Sequence, residues 1–280
     1  MHSEFQCGRY RLPLDRPGAT PLVMGILNVT PDSFSDGGRY HSLESALTRA
    51  ERMIADGADL LDIGGESSRP GAEALPLDEE LRRVLPVIHA LRDCGKPLSI
   101  DTYKPEVMRA ALATGADMVN DISGFRADGA LAAVRDSDCG LCVMHMLGEP
   151  RTMQLRPEYQ DVVREVTDFL RQRCEALTDA GVDRRRLCVD PGFGFGKTLE
   201  HNIALMQQIG SMQRELGLPL LTGLSRKSML AGLTGRAVDQ RLAGSVALAL
   251  AAAARGARIV RVHDVAETVD ALKVWQAVGA

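Results

Sequence analysis

Three absences narrow the role of this 280-residue chain before any motif is considered. It has no basic excess: 33 Lys and Arg stand against 37 Asp and Glu, a net charge of −4. Nucleic-acid-binding proteins usually carry a basic face, so no such partner is expected, and any anionic ligand must be held by local positive charge. It has no long apolar run. Neither a signal-peptide stretch nor ~18 consecutive apolar residues occurs, which leads to the expectation of a cytoplasmic protein that does not enter a membrane. It also has no disulfide framework, because Cys7, Cys94, Cys139, Cys142, Cys174 and Cys188 are scattered over a large chain. Cys139 and Cys142 have CxxC spacing, but with no second pair and no nearby His the spacing reads as the core at the start of a strand.

What is present is ordinary in composition, 45% hydrophobic and 25% charged, and regular in pattern. Eight short apolar runs each stop at a polar or charged residue, and helical stretches separate them. The runs are Pro21 to Val29, Leu60 to Glu66, Leu98 to Thr102, Asp117 to Asp121, Leu141 to His145, Leu187 to Asp190, Pro219 to Ser225 and Arg258 to Asp264. Buried strands alternating with helices in this number predict a single α/β domain, a (β/α)8 TIM barrel over residues 21–280, rather than an open doubly wound sheet. Residues 1–20 are expected to form a small hairpin using Phe5, Cys7, Tyr10 and Leu12, turning at Asp15 to Gly18 and closing one end. Helices are expected from Ser42, from Asp78 to Asp93 with a kink at Pro86, from Tyr159 to Ala180 and from Glu200 to Leu216. Ser245 to Ala254 is apolar on every side, so part of it must be covered beyond the barrel wall.

Active sites of such barrels lie at the C-terminal ends of the strands. Collecting those ends gives Asn28, Glu66, Asp101, Asn120, His145, Asp190, Ser225 with Lys227, and Arg261 with His263. Any one of them could be a hydrogen-bonded strand end or a helix cap; the set is harder to explain structurally. Arg261 and His263 share a face and, with Arg69, suit a doubly charged or diphosphate group, unless Arg261 is paired to Asp264 or Glu66. Asp101, Asn120 and Asp190 could read a flat heterocycle with adjacent N–H groups, with Lys227 donating to its carbonyl oxygen. A Schiff-base role for Lys227 fits less well, since it lies in a loop. The loop Gly192 to Thr198 has neither P-loop nor GxGxxG spacing; it offers flexible backbone beside Phe193 and Phe195.

The segments NVTPDSFSDGG (28–38), GGESSRPGAE (64–73), SIDTYKP (99–105), NDISG (120–124), MHMLGEPRTMQ (144–154), DPGFGFGKT (190–198), SRKSML (225–230) and RVHDV (261–265), in this order, resemble the dihydropteroate synthase family over about residues 21–278. Ser68 stands where the family usually has Thr. The resemblance implies condensation of (7,8-dihydropterin-6-yl)methyl diphosphate with 4-aminobenzoate, usually with Mg²⁺, in a homodimer formed through the last helices. It implies a pterin site of Asp101, Asn120, Met144, Asp190, Phe193 and Lys227, and a diphosphate site of Asn28, Arg69, Arg261 and His263 with Asn28 near Mg²⁺. It further implies a 4-aminobenzoate pocket of Ser68, Pro70, Phe193, Lys227 and Ser228, open to sulfonamides, with Asp101, Lys227 and Arg69 as the catalytic set. A corrinoid-dependent pterin methyltransferase and a non-catalytic pterin-binding relative are the alternatives. Neither makes use of SRKS, RVHD and the full polar set together.

Overall fold

Successive side chains of a strand point to opposite sides, so each inner strand divides its residues between the barrel interior and the helices outside. The computed structural model describes residues 3–16, 18, 20–29, 39–67 and 71–279, without the side chains of residues 39–42. Strands β1 (Glu4–Cys7) and β2 (Tyr10–Pro13) come first. Eight further strands follow: β3 (Leu22–Asn28), β4 (Leu60–Gly64), β5 (Leu98–Asp101), β6 (Met118–Asp121), β7 (Gly140–Met144), β8 (Leu187–Asp190), β9 (Leu221–Thr222) and β10 (Ile259–Val262). They form one parallel sheet in the order β8-β7-β6-β5-β4-β3-β10-β9. A bridge between Val189 and Leu220 joins its two ends, and the result is the expected TIM barrel.

Helices alternate with these strands: α1 (Arg39–Ala55), α2 (Leu77–Leu91), α3 (Pro105–Thr114), α4 (Ala130–Val134), α5 (Val162–Asp179), α6 (Leu199–Gln207), α7 (Ile209–Leu216), α8 (Ser228–Thr234), α9 (Leu242–Ala254) and α10 (Val265–Ala277). Outward residues such as Ile63, Ile100, Val119, Val143, Val189 and Val260 pack with the helices in the main core.

Several expected boundaries move. Helix α1 begins at Arg39 rather than Ser42. Helix α2 runs through Pro86 without ending. Helix α5 starts at Val162, where the Asp161 side chain accepts from the Val163 and Arg164 amides and caps the first turn. The stretch from Glu200 to Leu216 is two helices, divided at Gln208, whose φ of −107° and ψ of 10° leave the helical region. Strand β9 keeps only two residues of its expected run.

The hairpin of β1 and β2 exists, but it turns at Gly8-Arg9, with Cys7 opposite Tyr10, and not at Asp15 to Gly18. Gly8 has φ +56°, the geometry that places glycine first in a two-residue hairpin turn. Phe5, Cys7, Leu12 and Leu14 pack against Leu22, Met24, Leu60, Met118, Cys142, Cys188, Leu221 and Ile259, which are the lower inward residues of the barrel strands. The hairpin therefore stoppers the N-terminal end of the barrel. All six thiols are free, and Cys139 and Cys142 belong to different apolar clusters.

Candidate active site

One step up the inward rows, the chemistry inverts. Leu60 is followed by Asp62, Met118 by Asn120, Cys188 by Asp190 and Ile259 by Arg261, while β5 contributes Asp101. Asp62 is fully buried, and Asn120 and Asp190 nearly so. Buried charges need partners, and here they find one another. Arg261 donates from Nε to Asp62 Oδ2 at 2.5 Å and from its NH2 nitrogen to Asp101 Oδ2 at 2.7 Å. Asn120 Nδ2 donates to Asp62 Oδ2 at 3.1 Å. Asp62 Oδ1 and Asn120 Oδ1 receive no donor from the described residues.

Burial pushes the Asp101 carboxyl up to about 7, with the charges of Asp62, Glu80 and Asp121 acting in the same direction and Arg261 against them. Burial also works against the Arg261 charge, but the carboxylates of Asp62 and Asp101 outweigh it and hold the guanidinium firmly protonated.

A second group forms across the barrel. Lys227 donates to the Phe193 carbonyl, and its ammonium lies 4.6 Å from the centre of the Phe195 ring. Burial lowers Lys227 to about 8, partly offset by Asp190 and Asp101. Asp190 Oδ1 accepts from the Gly192 amide at 2.7 Å. Gly192 has φ +70°, and a Cβ there would fall 1.8 Å from the His145 carbonyl oxygen, so only glycine lets the loop pass. Gly223 is the next inward position above Leu221; a Cβ on it would lie 3.8 Å from Lys227 Nζ and 3.9 Å from two carbons of Arg261. The two cations thus share the space left by a missing side chain.

At the rim, His263 contacts Ser225 Oγ from both its backbone amide (3.2 Å) and Nδ1 (3.1 Å). Burial and then the nearby Arg261 and Arg226 push this imidazole down to about 3, so it is neutral in the free protein. Next to it, Arg226 has φ +59°. Its amide donates to Ser245 Oγ at 3.0 Å, its carbonyl accepts from Arg241 at 2.9 Å, and its guanidinium pairs with Asp264. A non-glycine residue in this region is strained by sterics, and these three contacts, from the starts of α9 and α10, hold it there.

Asn28 ends β3 opposite Gly64. A Cβ on Gly64 would lie 3.6 Å from Asn28 Oδ1 and 3.8 Å from Asp101 Oδ2, so two oxygen donors converge above that glycine. No group of three His, Cys, Asp or Glu side chains among the described residues is arranged to hold a metal. An amide and a carboxylate oxygen fit Mg²⁺ of the kind that keeps several waters and takes its other ligands from phosphate, not an all-protein cage.

The chain matches the pterin-binding enzyme family over residues 24–263. It is 50% identical to the dihydropteroate synthase of Neisseria meningitidis serogroup B, across 98% of this chain and 97% of that one. The chain belongs to the dihydropteroate synthase family. Among solved members, the Burkholderia cenocepacia dihydropteroate synthase complexed with 7,8-dihydropteroate superposes with a TM-score of 0.90 at 59% identity, covering 99% of this chain and 96% of that one. The Xanthomonas albilineans dihydropteroate synthase with 4-aminobenzoic acid gives 0.92 at 54% identity, covering 100% and 99%.

Within this dihydropteroate synthase fold, Asp101, Asn120, Asp190, Lys227 and Arg261 lie around one polar floor. Arg261 reaches into that floor and pairs with neither Asp264 nor Glu66; Asp264 takes Arg226, and Glu66 takes Tyr103 and Lys104. Met144 is buried with Ile122, Met146 and Met153, against Tyr103 and Phe195. Phe193 does not present its ring to the site: the side chain is fully buried in the main core, and its carbonyl meets Lys227. Phe195 is the ring beside Lys227 instead. Ser228 is exposed at the first position of α8. Ser68, Arg69 and Pro70, and the loop Thr30 to Gly38, lie outside the described residues.

Sequence reasoning missed Asp62 and Lys197. Asp62 carries a visible signal, a charge in the middle of the apolar strand LLDIG and in phase with Leu60. Lys197 is buried, with Nζ 2.9 Å from His145 Nδ1, and burial lowers it to about 7. Nothing in the glycine-rich loop around it marks it as buried.

Proposed function

We propose that the chain condenses (7,8-dihydropterin-6-yl)methyl diphosphate with 4-aminobenzoate to give 7,8-dihydropteroate and diphosphate. The observation that carries this reading is the polar floor. Two carboxylates, an amide with a free acceptor oxygen and an ammonium surround a site walled by Met144 and Ile122, and this suits a flat, apolar-faced ring with polar edges. The Burkholderia and Xanthomonas relatives, solved with the product and with 4-aminobenzoic acid, support the same chemistry here.

The reaction is S_N1-like. The C–O bond to diphosphate breaks first, and the positive pterin methylene is stabilised by the ionised Asp101 carboxylate. Lys227 and Asp190 hold the pterin edge. Arg261, with Arg69, takes the charge of the departing diphosphate, and neutral His263 contributes an N–H donor. The aniline nitrogen then attacks the methylene with its lone pair, and the acidic anilinium so formed releases its proton to solvent, so no strong base is needed. Asn28, with Asp101 nearby, would hold Mg²⁺, which when bound neutralises diphosphate charge. Ser68, Pro70, Lys227 and Ser228 form the 4-aminobenzoate pocket, where sulfonamides compete.

A homodimer forms through the last helices. Helix α9 carries no charged residue and, apart from Ser245, no polar side chain; Leu242 at its start and Leu233 and Val238 before it expose apolar surface. The protein works in the cytoplasm; among the described residues no helix is long and apolar enough to cross a membrane.

The test is diphosphate release and dihydropteroate formation from the pterin diphosphate, 4-aminobenzoate and Mg²⁺. Turnover should fall on chelation with EDTA and return with added Mg²⁺. No product above background rejects the reading. Light scattering at micromolar protein should report twice the chain mass; a monomer alone rejects the dimer.

A further inference from the structure

Arg261 is held by two carboxylates in different situations. Its Nε end meets Asp62, which has no exposed surface, and its NH2 end meets Asp101, whose side chain is 12% exposed. Asp62 is further fixed by Asn120 Nδ2, so the inner contact is enclosed on β4, β6 and β10. A ligand entering from the C-terminal end reaches the outer contact and not the inner one. A planar guanidinium can keep its Nε–H bond while its terminal nitrogens change partner. The arrangement also presents a problem for the reaction: in the free protein the carboxylate required by the developing cation is occupied by a cation already.

We propose that Asp62 is a positioning residue that pins Arg261 by Nε, so that the terminal nitrogens exchange the Asp101 carboxylate for the departing diphosphate. One movement then neutralises the leaving group and frees Asp101 to face the pterin methylene. The inference rests on the synthase reading and adds to it a residue with no contact to the reacting atoms. The competing explanation is that Asp62 only satisfies a buried guanidinium and contributes to folding.

Asp62→Asn keeps an acceptor oxygen for Nε–H but removes the charge that anchors it. Turnover should fall at least 10-fold while KM for the pterin diphosphate stays within threefold. A parallel loss in KM would make Asp62 a substrate contact and overturn the proposal, as would kcat within twofold of the starting protein. A double-mutant cycle with Arg261→Lys separates an effect through Arg261 from an independent one. Lysine has no Nε edge to pin, so adding Asp62→Asn to Arg261→Lys should cost less than threefold more; losses that multiply overturn the proposal.

An arm that needs neither turnover nor a folded Asp62 variant uses ¹⁵N and ¹³C resonances of the unaltered protein with inorganic diphosphate. The Arg261 Nε–H signal, assigned by its absence in Arg261→Lys, should stay protected from exchange in the free and diphosphate-bound protein, while the Asp101 carboxyl carbon shifts. Loss of the Nε–H signal on adding diphosphate, or no change at Asp101, overturns the pivot. Absence of dihydropteroate formation with this signature intact would instead reject the synthase reading.

Discussion

On β4, β6, β8 and β10 the lower inward residue is Leu60, Met118, Cys188 or Ile259, and the one above it is Asp62, Asn120, Asp190 or Arg261. The lower layer meets the hairpin and holds the barrel shut by apolar burial. The upper layer is a set of charges, joined by Lys227 from the loop before α8, that do not fully offset the cost of their own burial, since Asp101 is pushed up to about 7 and Lys227 down to about 8. Two layers one step apart on the same strands therefore separate stability from chemistry. Rigid packing below keeps perturbed charges in place above, which loops alone do less well.

The comparison breaks if upper-layer changes act mainly on folding or lower-layer changes mainly on turnover. The largest effect is expected for Asp101→Asn. Loss of a charge aimed at the developing cation should lower kcat by about 10²–10³-fold. Pterin binding, measured by calorimetry, should weaken far less; equal losses would contradict an electrostatic role in the transition state. Next is Phe5→Ala. Phe5 is fully buried in the stopper, and its ring lies against Gly140, where a Cβ would sit 2.8 Å from it. Removing it should destabilise the protein by about 3–5 kcal/mol in denaturant unfolding, with KM values of the remaining folded enzyme within twofold.

The pH dependence of kcat/KM for the pterin diphosphate tests the upper layer itself. The proposed mechanism requires Asp101 ionised, so activity should be lost as pH falls through about 7, and Lys227 protonated, so activity should be lost as pH rises through about 8. A flat profile between pH 6 and 9 would mean that neither group titrates in the free enzyme. The smallest effect is at the rim. Arg226→Gly relieves the backbone strain at φ +59° while losing the Asp264 pair, so stability should stay within about 1 kcal/mol of the starting protein. Arg226→Ala loses the pair, keeps the strain and should be the less stable of the two; the opposite order in thermal melts would show that the backbone at φ +59° holds no strain for glycine to relieve.

The barrel was legible because each strand is an apolar run ending in a polar residue, and Asp101, Asn120, Asp190 and Arg261 were found by that rule. Asp62 escaped it because Ile63 and Gly64 follow, so the strand does not visibly end there. In the loop after β8 no period tells one aromatic from the next. Phe193 and Phe195 share the same glycine neighbours, and only the path of the backbone puts the first in the core and the second beside Lys227. The hairpin turn was misplaced because Asp15 to Gly18 has the commoner turn composition, whereas Gly8-Arg9 depends on one glycine with positive φ.

The hairpin that fills the lower end has a consequence in time as well as in space. With Phe5, Leu12 and Leu14 seated under the barrel, the described residues close its lower end, and the polar floor is reached from the opposite mouth. With the pterin on that floor and 4-aminobenzoate above it, as proposed, a blind well has a queue: the pterin diphosphate must go in first, because 4-aminobenzoate would bar the way. The product must leave whole before the next pterin can enter. Product and dead-end inhibition patterns should therefore show compulsory order, set by a plug on the far side of the molecule.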